Sequence, residues 1–217
     1  MRPRATIESR LSLADPALGR VISAVIKRIG PQRMTPSRAS PFEALVRAVV
    51  YQSVSGKSAE SIYARLKETV AAPLTPSKIL TLRPQSLGKA GLSKAKARTI
   101  RALAEWFVDN RKLAKALPTL SDVEIVATLT ALPGVGAWTV NVLLIFNLNR
   151  PDVMPAADLG IRRGVQLTGG LRKIATPKQV LERSQVWTPY RSIASIYLWQ
   201  ATKLKLRGSD LALGKKR

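Results

Sequence analysis

Leu132-Pro133-Gly134-Val135-Gly136-Ala137-Trp138-Thr139-Val140 lies between two stretches of helical periodicity. Upstream, Ser121 and Glu124 form a capping-box pattern, and Val123, Val126, Leu129 and Leu132 follow at three- and four-residue steps. Downstream, a helix resumes at Ala137 and runs to Leu148. The glycines allow backbone angles that other residues resist, and they leave no side chain in the way of a close approach. The helix that follows presents N–H groups from its first turn, which suits phosphate. A Gly-x-Gly turn between helices therefore reads as a backbone anchor that grips phosphate without reading base sequence. A bare Pro-Gly-x-Gly stretch is equally compatible with an ordinary tight turn between helices.

Helical periodicity extends outward on both sides. Leu18, Val21, Ile22, Val25, Ile26 and Ile29 form one stripe, opened by Asp15-Pro16 and stopped by Gly30-Pro31. It is the one clear helix that residues 1–40 offer. Ser40-Pro41, Gly56, Thr75-Pro76 and Ser93 open further helices. Residues 149–157 carry two prolines and must be a loop, after which Asp158 to Leu167 is helical and ends at Gly169-Gly170. Thr176-Pro177 opens a short helix, and Pro189 precedes the last one. No strand pattern and no repeat of 20–50 residues is present, so the expected fold class is all-α.

The chain of 217 residues carries 36 Lys and Arg against 13 Asp and Glu, a net charge of +23. Such an excess calls for a polyanionic partner, nucleic acid first and an anionic membrane surface second. No apolar run is long enough to span a bilayer, and no signal-peptide stretch follows Arg2 and Arg4, so a cytoplasmic protein is expected. The basic tail Lys215-Lys216-Arg217 adds nonspecific charge. There is no Cys and no His. That removes thiol nucleophiles, imidazole bases, His- or Cys-ligated zinc and Cys-ligated iron–sulfur clusters. Acid–base chemistry is left to carboxylates, Lys, Tyr or water.

Among the carboxylates, Asp158 stands at a loop-to-helix junction after Pro151 and Pro155. There it can be a plain N-cap, a chemical participant, or both. A lone carboxylate can stabilise positive charge that develops as a bond breaks and can orient an attacking water.

The hairpin, together with Pro155-Ala156-Ala157-Asp158-Leu159-Gly160-Ile161, resembles the helix-hairpin-helix DNA glycosylase superfamily, in its DNA-3-methyladenine glycosylase II branch. Similarity runs from about Pro41 to Trp199. The resemblance implies two helical lobes with the active site in the cleft between them: residues 41–149, holding the hairpin, and residues 1–40 with 150–217. It implies that Asp158 is catalytic and that Gly134, Val135, Gly136, Ala137 and Thr139 meet the DNA backbone. Larger bacterial members carry an extra N-terminal α/β domain; this chain is expected to be the compact form.

Further roles come from the same resemblance. Trp138 and Trp199 align with aromatic positions of the base pocket, which a flipped base must enter at a cost of about a few kcal/mol. Tyr197 and Trp187 are weaker candidates, and Val142 stands where the family has a third aromatic. Core packing is the competing account of these aromatics. Gln52, Ser53, Val54 and Ser55 resemble the loop that fills the gap left by the flipped base, with Ser53 or Val54 as the plug. Gly91, Ser93 and Lys96 resemble a second phosphate-contacting turn, although a solvated basic face explains them equally well. An alkali cation, Na+ or K+, is implied on the carbonyls of Thr130, Leu132 and Val135, and no cofactor is implied for catalysis.

Members that also cut the strand carry a Lys two residues after the second hairpin Gly; Trp138 holds that position here, so hydrolysis without lyase chemistry is expected. The expected partner is duplex DNA with alkylated bases, bound by a monomer. A non-catalytic DNA-binding module with the same hairpin is the alternative.

Overall fold

The computed structural model describes residues 6–35 and 37–211. Arg2, Arg4 and the Lys215-Lys216-Arg217 tail lie outside the described residues. In chain order the helices are α1 (Ile7–Ala14), α2 (Pro16–Ile29), α3 (Pro41–Tyr51), α4 (Gly56–Val70), α5 (Pro76–Thr81), α6 (Pro84–Lys89) and α7 (Lys94–Asp109). They continue as α8 (Arg111–Ala116), α9 (Asp122–Thr130), α10 (Ala137–Phe146), α11 (Leu159–Gly169), α12 (Pro177–Ser184) and α13 (Arg191–Lys203). Short 3-10 turns follow α8, α12 and α13. There is no strand among the described residues. Among the described residues, no helix is long and apolar enough to cross a membrane.

The chain divides into two compact units, one formed by its two ends and one by residues 36–149. In the terminal unit, α13 is the central element: Ser192, Ile193, Ala194, Ser195, Ile196, Tyr197 and Leu198 are all buried. Helices α2 and α11 pack against it, and α1 packs on α2. A helix buried on nearly every side must satisfy its polar groups internally. Accordingly Ser195 Oγ donates to the Arg191 carbonyl at 2.8 Å, and the Tyr197 hydroxyl donates to Glu8 Oε1 at 3.1 Å. Among the described residues of 1–40 there are two helices rather than one. Thr6 caps α1, its side chain accepting from Ser9 N, and Asp15 then both ends α1 and caps α2.

In the second unit, α3 carries Phe42, Leu45, Val46, Val49 and Val50 into the core, where α7 and α10 pack on it. Each such fully buried side chain contributes about 1.5–3 kcal/mol relative to exposure. Phe42 and Phe107 meet edge to face at 5.3 Å. Residues 37–40, assigned by the sequence to the terminal lobe, join this unit, and Asn147 Nδ2 donates to the Ala39 carbonyl at 2.8 Å.

Candidate functional site

The hairpin between α9 and α10 is built by one close contact. Gly134 has φ +78°, in the left-handed region, and a Cβ there would stand 1.9 Å from Thr99 Oγ1 on α7. Glycine is therefore required twice over, by the backbone angle and by Thr99. Gly136 differs: its φ is −95°, and a Cβ built on it meets nothing within 4 Å. As N-cap of α10 it offers no side-chain acceptor. By contrast α3, α4, α7, α9, α11 and α12 are each capped by the side chain of a Ser, Thr or Asp. The first intrahelical bond of α10 runs from Val140 N to the Gly136 carbonyl. With glycine at its N-cap, α10 begins without a side-chain cap from that residue, and a helix start of this kind suits an anion.

Several residues placed at the interface by sequence also make contacts inside the unit. Val135 and Thr139 are buried. Gln52 Nε2 donates to the Gly134 carbonyl at 3.2 Å and to Thr139 Oγ1 at 2.8 Å, holding the hairpin from behind. Lys96 Nζ donates to the carbonyls of Val50 and Gln52 at 2.8 and 2.7 Å, and desolvation lowers its pKa. Its charge is thereby engaged at the C-terminus of α3. Ser55 and Ser93 are N-caps of α4 and α7. Ser53, with φ 55°, and Val54 remain exposed at the tip of the turn between α3 and α4. Gly91, with φ +96°, is exposed beside the Arg65 side chain. Trp138 and Val142 are half-buried, one turn apart on α10.

Asp158 belongs to the terminal unit. It caps α11, with Oδ1 accepting from Ile161 N at 2.8 Å and from Trp199 Nε1 at 2.8 Å. Gly160 makes this pairing possible, because a Cβ on it would lie 2.9 Å from Trp199 Cδ1 and 3.0 Å from Asp158 Oδ1. Thr202 Oγ1 on α13 donates to the Gly160 carbonyl at 2.9 Å and fixes the same turn. The loop before Asp158 is clamped to the start of α13. Ser192 Oγ donates to the Arg150 carbonyl at 2.6 Å and accepts from Val153 N at 2.9 Å. Arg191 grips Asp152 through Nε and Nη2 at 2.7 and 2.8 Å, and these hydrogen bonds hold the Asp152 carboxyl below the usual aspartate range. Sequence reasoning missed Gly160, Asp152, Arg191 and Ser192. The short Asp-x-Gly spacing was the only local signal for Gly160.

Two aromatic candidates are corrected. Tyr197 and Trp187 are fully buried, and both spend their polar atoms internally. Tyr197 accepts from Gln32 N at 3.0 Å while donating to Glu8. Trp187 Nε1 donates to Asp15 Oδ2 at 3.0 Å. Asp15 also clarifies the choice of carboxylate. It too is an N-cap bonded to an indole, but it is buried and accepts as well from Ala17 N, Leu18 N and two nitrogens of Arg183. Asp158 is only half-buried and so reaches solvent, as a group acting on a substrate must. Among the described residues, no group of three or more His, Cys, Asp or Glu could hold a metal ion.

The fold and the hairpin define a class. The chain belongs to the HhH-GPD superfamily of base excision DNA repair proteins, whose pattern matches residues 46–189. It is 36% identical to DNA-3-methyladenine glycosylase 1 of Schizosaccharomyces pombe over 185 residues, 83% of this chain and 81% of that protein. It is 30% identical to the alkylbase DNA glycosidase-like protein mag2 of the same yeast, over 86% of this chain and 90% of that one. The solved structure of S. pombe 3-methyladenine DNA glycosylase (Mag1) in complex with abasic DNA superposes with a TM-score of 0.80 at 33% identity. That match covers 92% of this chain and 97% of the other.

Proposed function

We propose that this protein is a monofunctional DNA glycosylase that hydrolyses the N-glycosidic bond of alkylated bases of the 3-methyladenine type, leaving an abasic site. The observation that carries this reading is the half-buried Asp158 at the start of α11, oriented through Oδ1 by Ile161 N and the Trp199 indole. Alkylation on a ring nitrogen makes the base a cationic leaving group. As the C1′–N bond breaks, the electron pair goes to the base, which departs neutral, and positive charge gathers on the sugar. The fixed negative charge of Asp158 stabilises that state. Water then adds at C1′ and loses a proton.

The first turn of α10 takes phosphate, and the net charge of +23 favours the same polyanionic partner. Trp199, bonded to Asp158 Oδ1, offers a face for an electron-poor base, and the turn bearing Ser53 and Val54 fills the gap in the stack. Trp138 replaces the lysine that a strand-cutting member would use, so no Schiff base forms at that position. An alkali cation on the carbonyls of Thr130, Leu132 and Val135 would sit just past the C-terminal end of α9, where the helix dipole suits a cation. Such an ion would brace the hairpin and take no part in bond breaking. A protein acting on chromosomal DNA as a monomer would work in the cytoplasm, associated with the nucleoid if the cell is bacterial.

The test is Asp158→Asn. Asn caps a helix about as well as Asp, so folding and affinity for abasic duplex should persist. Release of 3-methyladenine from methylated DNA should fall by about a hundredfold or more. Undiminished release refutes the assignment, and a panel over 3-methyladenine, 7-methylguanine, 1-methyladenine, ethenoadenine and hypoxanthine sets the substrate range.

A further inference from the structure

The placement of Lys96 calls for an account beyond a phosphate contact. Helix α3 ends at Tyr51, and the Lys96 ammonium, reaching from α7, bonds the carbonyls of Val50 and Gln52 just where the chain leaves the helix. A cation at a helix C-terminus satisfies carbonyls that lack intrahelical partners and suits the dipole. With its backbone held there, Gln52 sends its side chain to the Gly134 carbonyl and Thr139 Oγ1. The next residue, Ser53, sits at φ 55° without being glycine. Such a conformation costs about 1 kcal/mol or more and persists only where its neighbours over-determine it. Gln52 anchors one side and Ser55, as the cap of α4, anchors the other.

We propose that Lys96 and Gln52 are positioning residues forming a strap that ties the exposed turn at residues 53–55 to the phosphate-gripping hairpin. The chain of contacts is short and continuous: the Lys96 ammonium, the Gln52 backbone, the Gln52 amide, the Gly134 carbonyl. Engagement of phosphate at Gly136 and the first turn of α10 therefore fixes the height at which Ser53 and Val54 stand against the base stack. The pairing makes a small plug workable, because a short side chain fills a gap only when its backbone is held close. This inference rests on the glycosylase reading for the role of the turn, but the strap can be tested without it.

The experiment compares the parent chain with Lys96→Met and Gln52→Met, neither of which changes the backbone. Three quantities are read: the salt dependence of affinity for a duplex with a stable abasic-site analogue, the preference for that duplex over an intact one, and the single-turnover rate of 3-methyladenine release. Both variants should lose about ten- to a hundredfold in single-turnover rate, the scale expected of a misplacement of about 1 Å. Both should also lose preference for the abasic duplex. The log–log salt slope should stay at the parent value. A slope reduced by about 0.9 in Lys96→Met makes Lys96 a phosphate contact and overturns the proposal. Unchanged preference and rate in both variants overturn it as well. Should the parent release no base, the glycosylase reading fails, and the preference and slope still decide the strap. Should Lys96→Met fail to fold, judged by melting, Gln52→Met decides alone, since it leaves the Lys96 contacts in place.

Discussion

Gly134→Ala tests whether the hairpin depends on a single point of contact. The new Cβ would stand 1.9 Å from Thr99 Oγ1, about 1.5 Å closer than ordinary van der Waals contact. It would also force alanine to φ +78°. The backbone contributes about 1–2 kcal/mol of strain, and the overlap about 1–3 kcal/mol as overpacking. Together they predict a loss of about 2–5 kcal/mol in urea unfolding. The two causes separate by a second substitution. Thr99→Ala deletes Oγ1 and Cγ2 and leaves Thr99 Cβ 3.1 Å from the new atom, a distance a small shift can relieve. In the double variant the steric part should return and about 1–2 kcal/mol of backbone strain should remain. Affinity for abasic duplex should follow the same order. If Gly134→Ala unfolds with the parent, or if Thr99→Ala restores nothing, the account of the hairpin is wrong.

Gly136→Ala should leave urea stability within about 0.5 kcal/mol, since its Cβ meets open space in the protein. It should nonetheless weaken abasic duplex binding by tenfold or more if the strand approaches there, and equal binding would place the strand elsewhere. Trp199→Phe keeps an aromatic ring but deletes the bond to Asp158 Oδ1, so single-turnover release should fall about tenfold or more while affinity for abasic duplex changes little. Full activity would make the indole nitrogen dispensable. Asp152→Asn should cost about 1 kcal/mol at neutral pH, discounted for the partial exposure of the Asp152–Arg191 pair. The folded carboxyl lies below the ordinary aspartate value of 3.8, so its stabilisation is full above that pH and is lost as the pH falls through the folded value. The gap between parent and variant should therefore close on acidification, and a gap that widens would contradict the pairing.

Local chemistry was legible in sequence wherever a cap or a breaker marked it. Asp15-Pro16 and Gly30 bounded α2, the capping box opened α9, and Asp158 opened α11. Helix α1 escaped because its apolar face is thin, with Leu11 buried while Leu13 is exposed. Helices α6 and α8, six residues each, have no side-chain cap to announce them. What the sequence could not carry were pairings across long separations. Gln52 meets Thr139 from 87 positions away, and Lys96 meets Val50 from 46. A lysine in a basic chain looks like solvent-facing charge until those partners are known. Tyr197 failed for a related reason: periodicity shows that a helix is apolar, and on a helix buried all round it cannot say which aromatic faces outward.

The anchoring of Asp158 has a kinetic consequence. In the role proposed for it, a carboxylate pinned by the helix it begins and by a neighbouring indole has little freedom to swing towards an ill-placed sugar. All of the adjustment must be made by the nucleotide. Lesions that loosen stacking or pairing arrive more often, and discrimination among them then belongs to the DNA's own readiness to open as much as to any feature of the protein.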